Sequence, residues 1–130
     1  MADKILVIDD NNLISTLIKD ILTDEGYEVV TADSGVSALE VINQNHLALI
    51  IVDYHLSGSM TGVDLVKRVR KHPDHMTSDT IILGLSGSNV NAPMEFAKAG
   101  VGIFLKKPID EKTLVNMVNF LLDTENLELV

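Results

Sequence analysis

Short, continuous apolar runs alternate along the chain with longer stretches in which apolar residues recur every three or four positions. Continuous Val, Ile and Leu runs are typical of buried parallel strands, and the three-to-four-residue repeat is typical of amphipathic helices. Strands are predicted over 5–8, 28–32, 47–52, 80–85 and 102–105, and helices over 12–25, 34–45, 63–69, 93–100 and 110–122. Five such units predict an α/β fold with a doubly wound, five-stranded parallel sheet flanked by five helices.

Local signals refine two of these elements. The first helix is expected to face the core through one apolar stripe, formed by Leu13, Leu17, Ile18, Ile21 and Leu22. The third helix is expected to stop before Pro73, because a proline inside a helix removes a hydrogen bond and clashes with the preceding turn. The polar segment 72–79 is therefore predicted to be a surface connection to the fourth strand.

Length and composition indicate one domain spanning residues 1–130, with no room for an effector domain. No apolar stretch approaches the roughly 20 residues needed to cross a bilayer, and the first residues carry no export signal. The absence of cysteine agrees with a reducing compartment. The protein is therefore expected to be cytoplasmic, without membrane insertion.

The charge balance disfavours nucleic acid as a partner. The formal net charge is -9, from 19 acidic and 10 basic residues, and would repel a phosphate backbone. The glycine-rich patterns of nucleotide-binding loops do not occur in the sequence, which disfavours nucleotide binding as well.

Charged residues follow three of the predicted strands at the point where each strand ends. Asp9 and Asp10 follow the first strand, Asp53 follows the third, and Lys107 follows the fifth. In open α/β sheets ligands bind beyond the carboxyl ends of the strands, so these groups are expected to share one edge. Carboxylates a few Å apart repel by about 3 kcal/mol per pair at an effective dielectric constant of about 20. A divalent cation would relieve that repulsion.

With Ser86 closing the fourth strand and Lys107-Pro108 following the fifth, the chain resembles the receiver domains of two-component response regulators over residues 3 to about 122. The resemblance implies the strand order 2-1-3-4-5. It also implies that Asp53 is the phosphoacceptor, that Asp9 and Asp10 organise Mg²⁺, and that Lys107 and Ser86 contact the phosphoryl group.

The resemblance extends to the metal ligands and the switch residues. Asp10 and Asp53 are expected to bind Mg²⁺ directly, Asp9 through water, and His55 through its backbone carbonyl. The backbone amide of Gly87 is expected to add a donor to the phosphoryl group. In the family an aromatic residue of the fifth strand rotates inward behind the Ser or Thr on activation, and Phe104 occupies that position, paired with Ser86.

The implied function is a phosphorylation switch that receives its phosphoryl group from a sensor histidine kinase or a histidine phosphotransfer protein and slowly hydrolyses it. Its signal is expected to pass to an unidentified protein through helix 93–100, the fifth strand and the last helix, a surface that also allows a homodimer. The chain is not expected to be an enzyme beyond catalysing its own phosphorylation and dephosphorylation.

One departure from the family pattern lies in the loop after Asp53. Ser57 stands where the family usually has proline, and one extra residue precedes Gly62. The geometry at His55 is expected to survive, because the change lies downstream of it.

Two other functions stay open. A degenerate receiver would act only as a binding surface, and the complete acid set argues against it. A Mg²⁺-dependent phosphohydrolase of the haloacid dehalogenase type would need a second Asp two residues after the nucleophile, where this chain has His55, and a substrate-binding cap.

Overall fold

The computed structural model describes residues 3–87 and 91–122 of the chain. Within these residues five strands alternate with helices, as the periodicity predicts. The strands are β1 (Lys4–Ile8), β2 (Glu28–Ala32), β3 (Leu49–Asp53), β4 (Ile81–Ser86) and β5 (Ile103–Lys106). The helices are α1 (Asn12–Asp24), α2 (Gly35–Gln44), α3 (Gly62–Arg70), α4 (His75–Ser78), α5 (Ala92–Ala99) and α6 (Glu111–Leu122).

The strands form one parallel sheet in the order β2-β1-β3-β4-β5, which confirms the predicted fold class and strand order. β1 and β3 lie in the middle of the sheet and are buried on both faces, which explains why their sequences are continuously apolar. The pairing places Ile8 opposite Val52, Asp53 opposite Leu85, and Ser86 opposite Lys106. The carboxyl ends of four strands therefore meet at one edge.

Each face of the sheet carries its own apolar core. One core packs α2, α3 and α5 against the sheet and includes Leu6, Ile50, Val66 and Phe96. The other packs α1 and α6 against the opposite face and includes Ile5, Ile18, Leu83 and Leu114. Two such cores hold the central strands rigidly, and with them the residues at their ends.

Side-chain caps fix where three helices begin. Asn11 caps α1, and Ser34 caps α2 as predicted. Thr61 and Asp64 form a reciprocal capping box at the start of α3, with hydrogen bonds of 3.0 and 3.1 Å. These three helix starts lie at the edge where the strands end.

Two sequence predictions need correction. Leu13 and Leu17 are 83% and 52% exposed, so the core-facing side of α1 is formed by Ile18, Ile21 and Leu22 without them. The connection predicted over 72–79 contains the additional helix α4, making six helices among the described residues. Asp74 caps that single turn by accepting from the amide of Met76 at 2.9 Å, a short-range interaction that hydrophobic periodicity does not reveal.

No helix among the described residues is both long enough and apolar enough to span a bilayer.

Candidate functional site

Three carboxylates converge at the edge of the sheet where β1 and β3 end. Asp9 and Asp10 directly follow β1, and Asp53 is the last residue of β3. Each contributes an oxygen to a group in which all of these atoms lie within 4.8 Å of one another. Asp9 and Asp53 are buried, whereas Asp10 is exposed. The structure therefore brings together the three acids that the sequence places at strand ends.

Lys107 joins this cluster from the end of β5. Its ammonium Nζ lies 3.1 Å from Oδ2 of Asp9 and 3.2 Å from Oδ2 of Asp53. Its backbone amide donates to the carbonyl oxygen of Ser86 at 2.7 Å, which fixes where the side chain leaves the sheet. Lys106, in contrast, is exposed and takes no part in these ion pairs. One cation is thus shared by two buried carboxylates.

Opposing effects act on the pKa of Asp53. Burial raises the pKa of its carboxyl to about 6, and the charge of Asp9 adds to that increase. Lys107 and a hydrogen bond from the backbone amide of His55 work against it. Burial lowers the pKa of Lys107, but the bonds and charges of Asp9 and Asp53 outweigh that effect and leave its pKa raised. Lys107 is therefore a cation. Ionisation of Asp53 costs free energy, which the binding of a second cation would offset.

Backbone amides hold the two neighbouring acids. The amide of Asn11 donates to Oδ1 of Asp9 at 2.9 Å. The amide of Ser57 donates to Oδ2 of Asp10 at 3.1 Å. The second bond ties the loop that follows β3 to Asp10, which follows the neighbouring strand β1. Proline usually stands at position 57 in the family, so this chain has a donor where a proline would have none.

The loop with the extra residue is also anchored at its far side. Met60 is buried and packs so closely on Gly35, the first residue of α2, that a side chain added there would meet its sulfur at 2.6 Å. The extra residue therefore lies in a loop held at both ends.

The donor set suits Mg²⁺. Three carboxylates supply hard oxygen ligands, and the exposed Asp10 leaves one side open to water and phosphate oxygens, which Mg²⁺ usually keeps among its ligands. The backbone carbonyl of His55 as a further ligand stays a prediction. The His55 side chain is exposed and stands edge-on to the Tyr54 ring, with centroids 4.9 Å apart.

Ser86 and Gly87 lie beside the cluster. Ser86 ends β4 and is buried, two strands from β1 and next to β3. Gly87 is half-buried, and a side chain built on it would meet nothing within 4 Å. The space around Gly87 leaves its backbone open to an incoming group. Their contact with a phosphoryl group stays a prediction.

Phe104 lies apart from the carboxylates. It is half-buried in β5, pairs with Gly84 of β4, and packs against the core that contains Phe96. Its rotation on activation stays a prediction.

Two residues near the site have roles that sequence patterns did not reveal. Gly62, the first residue of α3, passes so close to Asp53 that an added Cβ would lie 2.1 Å from the Asp53 carbonyl oxygen. Tyr54 donates a hydrogen bond from its hydroxyl to Glu95 of α5. Both contacts depend on how the chain folds back on itself, so only a tertiary structure shows them.

Comparison with known proteins agrees with this geometry. A family model described as the response regulator receiver domain matches residues 5–119. The chain is 31% identical over 125 residues to the chemotaxis protein CheY1 of Helicobacter pylori, covering 95% of this chain and 99% of that protein. The solved structure of the chemotaxis response regulator CheY4 of Vibrio cholerae matches with a TM-score of 0.84 at 31% identity, covering 94% of this chain and 100% of that one.

Longer proteins match over part of their length. The chain is 35% identical over 115 residues to the transcriptional regulatory protein GlrR of Escherichia coli, which covers 88% of this chain and 25% of that regulator. The chain spans a quarter or less of the length of several such relatives.

Proposed function

This chain belongs to the response regulator receiver family, and we propose that it is a phosphorylation switch in which Asp53 accepts the phosphoryl group. The observation that carries the proposal is the contact of one ammonium, that of Lys107, with both Asp9 and Asp53, beside an oxygen-rich cluster suited to a divalent cation. Receiver domains bind Mg²⁺ at such an acidic pocket.

The transfer takes a phosphoryl group from a phosphohistidine of a sensor histidine kinase or a histidine phosphotransfer protein. A carboxylate oxygen of Asp53 forms a bond to phosphorus as the phosphorus–nitrogen bond breaks, and the electron pair of that bond returns to the imidazole. The protein's contribution is alignment and charge stabilisation. Lys107 supplies a fixed positive charge, and Ser86 and the amide of Gly87 supply hydrogen-bond donors.

Asp10 and Asp53 are the residues we propose as direct ligands of Mg²⁺, with Asp9 acting through water and His55 through its backbone carbonyl. When bound, Mg²⁺ neutralises charge on the phosphoryl oxygens. Asp9 has a second task in this proposal, because its buried carboxylate holds the Lys107 ammonium within reach of Asp53.

The acyl phosphate changes the balance of charge at the edge of the sheet. It adds about two negative charges and three acceptor oxygens, which draw Ser86 and Lys107 toward position 53. Phe104 then turns into the space behind Ser86. The surface formed by α5, β5 and α6 shifts between two populations and passes the signal to a protein partner, or pairs with a second copy of the chain.

Residues 1–130 are assigned to one receiver domain, and the cytoplasm is the proposed location. The proposed phosphodonor is a phosphohistidine-bearing protein. The downstream target is a protein and not nucleic acid, because the net charge of -9 disfavours a phosphate backbone.

The chain incubated with Mg²⁺ and acetyl phosphate tests this function by intact mass. We expect one added phosphoryl group, absent from Asp53→Asn and retained in Asp33→Asn, which changes an exposed acid at the end of β2. Labelling of Asp53→Asn at the wild-type level would refute the assignment. A wild-type chain that takes no label would favour a receiver that acts only as a binding surface, and rapid turnover of small phosphomonoesters would favour a phosphohydrolase.

A further inference from the structure

Tyr54, the residue after Asp53, links the acidic site to helix α5. Its backbone amide donates to the carbonyl oxygen of Leu85 at 2.8 Å, which extends the pairing of β3 with β4 by one residue. Its half-buried ring packs edge-on against Phe96 of α5, with centroids 5.6 Å apart. Beyond the ring, the hydroxyl donates a hydrogen bond to the carboxylate of Glu95, in the first turn of α5.

The far end of α5 is anchored by Arg70 of α3. The guanidinium donates two hydrogen bonds to the carbonyl oxygen of Gly100, at 3.0 and 2.8 Å. It donates two more to the carbonyl oxygens of Ser78 and Thr80, at 2.9 and 2.6 Å. Because Arg70 also binds the segment before β4, the C-terminal end of α5 is held to the body of the molecule.

The start of α5 follows the residues that the proposed function places against the phosphoryl group. Ser86 ends β4, Gly87 comes next, and α5 begins at Ala92. We expect movement of Ser86 and Gly87 toward position 53 to displace the first turn of α5, because only four residues separate Gly87 from Ala92 in the sequence. Since the C-terminal end of α5 is anchored, the displacement falls mainly on the turn that carries Glu95.

We propose that the hydrogen bond between Tyr54 and Glu95 is a latch that holds the start of α5 in place while Asp53 is unmodified and so restrains phosphorylation. This inference rests on the proposed function, because a phosphoryl group at Asp53 is what draws Ser86 and Gly87 inward. Tyr54 and Glu95 are positioning residues that act through α5 and not on phosphorus.

The latch disfavours phosphorylation by the free energy of one hydrogen bond, which is made to a charged acceptor at a partly solvated site. A bond of this kind changes an equilibrium by about three- to tenfold. The bond exists in the unphosphorylated arrangement and breaks in the phosphorylated one. Its removal therefore shifts the equilibrium constant between them toward the phosphorylated arrangement by the same factor.

The test is a titration of the Mg²⁺-loaded chain with beryllofluoride, a phosphoryl mimic, together with the initial rate of labelling by acetyl phosphate. Tyr54→Phe removes the hydroxyl and keeps the ring contacts, and Glu95→Ala removes the acceptor. We expect each to lower the half-saturating beryllofluoride concentration about three- to tenfold. The double variant should equal either single variant, because both remove the same bond.

Three controls separate the latch from other effects. Glu95→Gln removes the charge but keeps an oxygen acceptor, so its half-saturating concentration should fall between those of the wild type and Glu95→Ala. Glu111→Ala removes an exposed acid from the first turn of α6, as Glu95→Ala does from the first turn of α5. Tyr27→Phe removes a hydroxyl that bonds Asn119 on the opposite face of the sheet. Both should leave the titration unchanged.

The outcomes distinguish this inference from the proposed function. A wild-type chain that takes no phosphoryl group would refute both. A labelled wild type whose Tyr54→Phe and Glu95→Ala variants bind beryllofluoride equally or more weakly would refute the latch alone. Additive effects in the double variant, or Glu111→Ala matching Glu95→Ala, would also refute it, because they indicate a general effect of charge or stability.

Discussion

Burial of Asp53 disfavours the ionised carboxylate that the proposed function requires. Its carboxyl has a pKa of about 6 in the folded chain against 3.8 as an ordinary side chain. A group whose folded-state pKa is raised binds its proton more tightly in the folded state than in the unfolded state. Ionisation of Asp53 therefore costs stability, and the cost grows as the pH rises from about 4 to above 6.

Asp53→Asn should consequently stabilise the chain in the absence of Mg²⁺. We expect a gain of about 1 to 2 kcal/mol in the free energy of unfolding at pH 7.5, after allowance for solvent near the site. The gain should disappear below about pH 4, where the wild-type carboxyl is protonated in both states. Urea unfolding at several pH values measures it, and a gain that is independent of pH would contradict the assigned cause.

Lys107 has the opposite role, because it compensates two carboxylates that burial has removed from water. Lys107→Met should lower the free energy of unfolding by about 1 to 3 kcal/mol at pH 7, since it leaves Asp9 and Asp53 without their shared cation. Lys106→Met, at the exposed neighbouring position, is the matched control and should change stability by less than about 0.5 kcal/mol. Equal losses of unfolding free energy in both variants would contradict this role of Lys107.

At the scale of elements, α3 begins where it does because Gly62 lets the chain pass over the end of β3. A methyl group at position 62 would overlap the carbonyl oxygen of Asp53. The start of α3 and the end of β3 are therefore in direct contact.

Gly62→Ala should cost about 1 to 3 kcal/mol of stability and slow the labelling of Asp53, because the strand end must shift to make room. Gly102→Ala is the control, since a side chain built at Gly102 meets nothing within 4 Å. Chemical denaturation and intact mass after acetyl phosphate give the two readings. A Gly62→Ala chain as stable and as reactive as Gly102→Ala would contradict the close approach.

In the molecule as a whole, the acidic edge is part of a net charge of -9. Binding of a cation to the folded state alone stabilises that state by mass action. Mg²⁺ should therefore raise the midpoint of thermal unfolding of the wild type in proportion to the logarithm of its concentration above the dissociation constant.

The same titration should have little effect on Asp10→Asn, which loses an exposed acid of the cluster. Asp20→Asn, which changes an exposed acid of α1 by the same charge, should respond like the wild type. Differential scanning calorimetry measures both. Identical shifts in the two variants would mean that Mg²⁺ screens the overall charge and does not bind at the cluster.

Much of the molecule could be predicted from its sequence because the relevant signals are local. Continuous apolar runs at β1 and β3 reflect burial on both faces, and helix caps such as Ser34 are read over three or four residues. The apolar pattern wrongly predicted that Leu13 and Leu17 face the core, because the buried side of α1 is narrower than its apolar residues suggest. The turn at α4 depends on one capping contact and leaves no periodic trace.

The shared edge of Asp9, Asp10, Asp53 and Lys107 follows from the sequence, because all strands of a parallel sheet end on the same side. Three contacts are visible only in the folded chain: Lys107 with two of the acids, Ser57 with Asp10, and Tyr54 with Glu95. Such contacts depend on the register of neighbouring strands and on how helices pack against them. Strand register and helix packing are set by how all the core side chains fit together, and no short stretch of sequence contains that information.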